Sequence, residues 1–164
     1  MGQDRLTGTR AFASLIAGLA ALLCAACGDE AHHSVDPASD EVKVQIPTSE
    51  GRATMRSGPQ VAPRLPLGFT IVPNARVVHA TDVKRADRKG SLVALESGDS
   101  PAELARFYRQ EAEAAGLAIS YSLGDEGRQT LVGEGAKGRS FSLSARREGD
   151  LTRAELFVSD GLQR

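Results

Sequence analysis

Residues 98–116 form the one strong helix signal in the chain, and it constrains whatever surrounds it. Ser100 is a good N-cap, Pro101 suits the first turn, and Glu103 completes a Ser-x-x-Glu capping box. Such a start is worth about 1 kcal/mol over an alanine cap. Gly116 stands where a left-handed C-cap residue belongs, with apolar Leu117 behind it. At helical spacing Leu104, Phe107, Tyr108, Ala112 and Ala115 share one side, while Glu103, Arg106, Arg109, Gln110 and Glu113 share the other. A single helix with one apolar face needs a sheet to cover, and the segments on both sides alternate like strands.

Arg76–Thr81 and Ser91–Glu96 precede the helix, separated by a charged run, Asp82–Gly90, that reads as a hairpin loop. After the helix come Leu117–Leu123, Gln129–Val132, Phe141–Ala145 and Ala154–Val158, with turn signals at 124–127 and 148–150. The predicted fold class is α+β: an antiparallel sheet of about six strands with one helix packed on one face, in the order strand-strand-helix-four strands. The other face, carrying Ser, Thr and Arg, is expected to meet water. This domain is placed at 65–164, with a short apolar run at Phe69–Val72 near its start. Residues 41–64 read as a short hairpin (Val42, Val44 and Ile46, then Arg52–Arg56) followed by an extended linker holding Pro59 and Pro63. Aromatics are only 4% and Trp is absent, so the core is expected to be thin and aliphatic.

The N-terminus reads as an address. Arg5 and Arg10 precede an uninterrupted small and apolar run, Ala11–Leu23, too short for an ordinary membrane span. Ala25 and Ala26 then lead into Cys27. This resembles the signal peptide and lipobox of bacterial lipoproteins, although Cys24 stands where that family usually has Leu. The resemblance implies removal of residues 1–26, lipidation of Cys27, and a membrane partner held through that anchor. An ordinary secretory signal and an uncleaved membrane anchor are the competing readings. In the family, Asp after the Cys favours the inner membrane, so Gly28 favours the outer one, with the domain facing the periplasm. Residues 27–40 are polar and acidic, as expected of a tether. Two or three acyl chains make attachment stable, since each buried methylene adds about 0.8 kcal/mol. Both cysteines lie in this region, Cys24 and Cys27, so no disulfide or catalytic thiol is expected in the folded part.

Leu65-Pro-Leu-Gly-Phe-Thr-Ile-Val-Pro-Asn-Ala-Arg-Val-Val, Ser100-Pro101, Phe107-Tyr108-Arg109 and Ala114-Ala115-Gly116 resemble a C-terminal domain that recurs in uncharacterised bacterial envelope lipoproteins. That resemblance implies a fold and carries over no catalytic residue.

Some motifs point elsewhere. Gly133-Glu-Gly-Ala-Lys-Gly138 fits the dinucleotide pattern G-x-G-x-x-G and nears a P-loop, but both motifs must open a helix, and Ser140–Ala145 alternates as a strand. A Gly-rich hairpin turn is the reading, and no cofactor is expected. His32 and His33 lack further ligands at fixed spacing, so no metal is expected. Arg85, Arg88 and Lys89 are interspersed with Asp82 and Asp87, as in a solvated turn. Glu111 falls inside the apolar arc of the helix and is the candidate functional carboxylate. His79 is the one His of the 65–164 domain and has no triad partner at recognisable spacing.

A net charge of −1 argues against nucleic acid as a partner. The expected function is therefore a lipid-anchored, non-catalytic binding or structural module of the envelope, with an envelope protein as a candidate partner. Two alternatives stand beside it: a carrier of lipid or another apolar ligand between helix and sheet, and a small envelope enzyme using Glu111 with His79.

Overall fold

The capping signals act as their sequence requires. In α1 (Pro101–Ala114) the Glu103 N–H donates to the Ser100 hydroxyl at 3.3 Å, and the Ser100 N–H donates to the Glu103 carboxylate at 2.8 Å. At the far end Gly116 takes a φ of +72°. Its N–H bonds the Glu113 carbonyl and the Leu117 N–H bonds the Ala112 carbonyl, the paired bonds of a Schellman cap. The structure, a computed structural model, describes residues 31–162. The signal peptide expected at 1–26, and Cys27, lie outside the described residues.

Nine strands form one sheet: β1 (His32–Asp36), β2 (Glu41–Thr48), β3 (Gly51–Gly58), β4 (Arg76–Arg85), β5 (Arg88–Ser97), β6 (Ala118–Gly124), β7 (Arg128–Gly135), β8 (Arg139–Glu148) and β9 (Leu151–Asp160). Their order is β1-β2-β3-β4-β5-β9-β8-β7-β6, and every strand pair is antiparallel.

The expectation of about six strands is therefore corrected to nine. The six expected strands stand where alternation placed them. The other three come from the segments set apart as tether and hairpin. β3 pairs with β4 from Ala53↔Arg85 to Gly58↔Ala80, so the hairpin continues the sheet. β1 then adds itself to β2, His32 opposite Gln45 and Asp36 opposite Glu41. An edge strand needs only backbone partners, so a polar segment can join without any apolar periodicity. The charged run also proved to be mostly strand: β4 continues to Arg85 and β5 resumes at Arg88, with only Ala86 and Asp87 between them. The linker, here the whole connection of residues 59–75 between β3 and β4, is not a spacer either. It folds back over the sheet and buries Val61, Phe69 and Val72, and Phe69–Val72 is not a strand.

The core lies on the helix side. α1 covers β6, β7 and β8. Leu104, Tyr108 and Ala112 meet Leu131, Phe141, Leu143 and Leu156, and the Phe69 ring packs against Phe141 with centroids 5.5 Å apart. Val61 from the linker closes a second, smaller cluster with Ala80 and Val93. The centre of the core is thus more aromatic than composition suggests, because Tyr108 and Phe141 are its largest fully buried side chains. The helix does not extend over the inner face of β2 and β3, and the linker borders it through Arg64, Leu65 and Pro66.

Candidate functional site

Glu111 is half-buried at the edge of the helix–sheet seam. The buried helix residues are Pro101, Leu104, Ala105, Tyr108 and Ala112, so the seam is rotated away from Phe107, which is only partly buried. Both Glu111 carboxylate oxygens are engaged. One accepts the Thr70 N–H at 2.9 Å and the other the Thr70 hydroxyl at 2.6 Å. Three turns of helix away from its cap, this carboxylate fastens the linker to α1. Tyr108 assists from the seam, its hydroxyl accepting the Val72 N–H at 3.3 Å. Glu111→Leu should therefore destabilise the domain by about 1 kcal/mol, since it removes both hydrogen bonds that tie Thr70 to α1. Urea unfolding checks this, and an unchanged midpoint would mean water replaces the carboxylate without loss.

His79 is not brought to Glu111. It stands on the sheet face away from the helix, directly opposite Ala94. There its Nε2 lies 2.8 Å from the Ser57 hydroxyl, which is also 2.8 Å from the Thr81 hydroxyl. Sequence spacing gave no hint of this contact, because Ser57 and His79 meet only through the β3–β4 pairing. The pair is exposed, and its neighbouring backbone N–H groups lie within a sheet ladder, unlike the free amides of an oxyanion hole.

His32 and His33 are successive residues of β1 and so project to opposite faces. Among the described residues, no three His, Cys, Asp or Glu side chains form a metal-binding group.

The Gly-rich motif opens no α-helix. Gly133 and Gly135 end β7, and Ala136–Gly138 make a single 3-10 turn into β8. A Cβ on Gly133 would lie 2.4 Å from the Phe141 ring, and one on Gly135 would lie 2.7 Å from the Leu117 side chain. Both glycines are there to make room for core side chains.

The face away from the helix carries a concavity of about 660 Å³. One cross-strand row runs along it: Arg76, Glu96, Arg153, Arg146 and Arg128, each directly opposite the next. Like charges side by side in a sheet are destabilising unless acids intervene. Glu96 pairs with both Arg76 and Arg153, and Glu148 pairs with Arg153 at 3.1 Å and with Arg146. Arg128, at the end of the row, makes no ion pair among the described residues. The adjoining row brings the Thr130 and Ser144 hydroxyls and the Glu155 carboxylate, so the arginines of the lining outnumber its acids by one. This surface can hold a polar group bearing negative charge, with arginines already oriented by their neighbours. Sequence reading had assigned these arginines only to a wetted face.

Residues 77–150 match a family model described as START domain-like. The match runs from β4 through α1 to the turn after β8 and spans less than half of the chain, so it is a similarity of that segment. None of the curated proteins and none of the solved structures compared with the chain matches it.

Proposed function

We propose that the chain is a lipid-anchored, non-catalytic binding module of the bacterial envelope, held at Cys27 and facing the periplasm. Its binding surface is the arginine-lined concavity on the helix-free face. The observation that supports this reading is the ordered row from Arg76 to Arg128, in which Arg128 is left without an acid among the described residues. The ligand is a polar group, free or on an envelope partner, that supplies the missing negative charge.

The START-like match favours a second reading, a carrier of an apolar ligand between helix and sheet. Leu104, Tyr108, Leu131 and Phe141, each at most 1% exposed, fill that space, so α1 would have to lift for a ligand to enter.

Native mass spectrometry of protein extracted from membranes separates the two readings. A polar adduct lost in Arg128→Glu supports the surface site. Copurified lipid that survives Arg128→Glu supports the carrier, and an adduct indifferent to both Arg128→Glu and Tyr108→Phe sinks both assignments. The same sample should show acylation on Cys27 and no residues before it. A Cys27→Ser protein still processed and membrane-bound would defeat the anchor.

A further inference from the structure

Beyond the helix, the inner face holds a groove of about 540 Å³ to which the linker contributes Arg64, Leu65 and Pro66, and its charge is unusual for this chain. The sequence holds four lysines, and three of them, Lys43, Lys84 and Lys89, line this groove with Arg56 and Arg64. Register rather than chance proximity puts them there. Lys43 is directly opposite Arg56, and Lys84 is directly opposite Lys89. Like charges in direct cross-strand register cost stability, so these pairs call for a counter-charge.

The protein supplies only part of it. Arg56 is held by both Glu41 oxygens, at 2.7 and 3.1 Å. Asp82 is the one acid in the lining. Its Oδ1 already accepts the Ser91 hydroxyl at 2.5 Å and the Arg64 N–H at 3.2 Å, and its buried Oδ2 has no partner. Asp82 can balance one further cation. Lys43, Lys84, Lys89 and Arg64 make no ion pair among the described residues, so a surplus of three remains.

The groove also has a direction. His32, where β1 begins, starts the row that continues through Gln45, Thr54 and Lys84 to Lys89. The chain therefore comes into the sheet at the same end as the lysine pair. In the sequence, the few residues from Cys27 to His32 reach roughly 17 Å at most when fully extended.

We propose that this groove docks the anionic phospholipid headgroups of the bilayer that carries the chain, as a second contact beside the acyl anchor. The inference rests on the anchored reading. Ammonium groups are compact charges suited to a phosphodiester, and each basic side chain near an anionic surface strengthens attachment about fivefold. A lipid anchor alone leaves the domain free to turn, whereas an anchor with a basic patch fixes which side meets the membrane.

The test uses the acylated protein in vesicles of phosphatidylcholine, with and without phosphatidylglycerol, treated with acetic anhydride and read lysine by lysine by mass spectrometry. Lys43, Lys84 and Lys89 should be acetylated about fivefold more slowly on the anionic vesicles. Lys137 lies beside Gly161, which bridges Lys89, so the internal control is a lysine introduced by Gln110→Lys on the exposed side of α1, which should not change. About 1 M salt should abolish the protection, because screening then acts within about 3 Å. Replacing Lys84→Gln together with Lys89→Gln relieves the like-charge pair, and should reduce the protection of Lys43 with the fold kept. Equal rates on both vesicle types would overturn the proposal, as would equal protection of the lysine introduced by Gln110→Lys. Equal protection by inorganic phosphate on phosphatidylcholine vesicles would also overturn it, since the site would then belong to a soluble anion. The intact mass of the same sample reports the acyl chains, so a missing anchor and an inert groove are read separately.

Discussion

Tyr108→Ala should lower the stability of the domain by about 3–5 kcal/mol, read as a fall in the urea midpoint with an unchanged slope. The side chain is fully buried, spans the seam between α1 and the sheet, and packs edge-on against Phe107 at 5.1 Å. Removing it opens a cavity and strips the Val72 N–H of its acceptor at once. A loss below about 1 kcal/mol would mean that the seam collapses onto the space, and that the helix contributes little to stability. The same residue sets an alkaline limit. Burial first of all, reinforced by the Glu111 charge and opposed by the Val72 bond, pushes its hydroxyl from 10.0 up to about 12. Between those values the unfolded chain has released the proton and the folded chain still holds it. Stability present below pH 10 is therefore lost as pH rises towards about 12. Tyr108→Phe should flatten that part of the stability–pH curve, and an unaltered curve would remove Tyr108 from the account.

Gly133→Val should cost about 1–3 kcal/mol, although valine is the better strand residue. The added Cβ would stand 2.4 and 2.8 Å from two atoms of the Phe141 ring and 3.2 Å from the Ala118 carbonyl oxygen. Phe141 is 1% exposed and pressed by Phe69, so the ring has nowhere to move. If the clash is the cause, Phe141→Leu should rescue it, and the double variant should lose less than the two single losses added together. Simple additivity would place the cost in the backbone instead. Either way the experiment tests whether the first glycine of a nucleotide-like pattern serves packing.

Both predictions rest on parts of the molecule that sequence made legible to different degrees. The helix and its caps were readable because Ser100, Pro101, Glu103 and Gly116 act within one or two turns of chain. The six strands beginning at Arg76 were readable because a covered face imposes alternation. β1 was not, since His32–Asp36 is exposed throughout and has no apolar stripe. The ends of β4 and β5 were misread as loop for the same physical reason: they pass beyond the helix, so their side chains need not be apolar. Glu111 stands at the edge of the seam, but its partner Thr70 lies 41 residues away and no local signal connects them. The contact of Ser57 with His79, the arginine row and the lysine pair all depend on cross-strand register. Which residues stand opposite one another is set by long-range strand pairing, which composition and spacing along one strand do not encode.

The strand order holds a consequence for how such a domain is assembled in time. Every neighbouring pair in the sheet is consecutive in the chain except β5 with β9. The sheet is thus two meanders, β1–β5 and β6–β9, zipped along one long-range boundary from Gly90↔Ser159 to Ser97↔Thr152. Hairpins close their short loops within microseconds, but this boundary must close the loop containing α1 and three strands before any of its pairs form. The second meander carries the helix and most of the aromatic core, so it can gain burial early. The first holds only the small Val61, Ala80 and Val93 cluster by itself, and joins the main core when β5 reaches β9. Folding should therefore be limited by that one closure, with φ-values high along Val93, Leu95, Ala154 and Leu156 and low in β1 and β2.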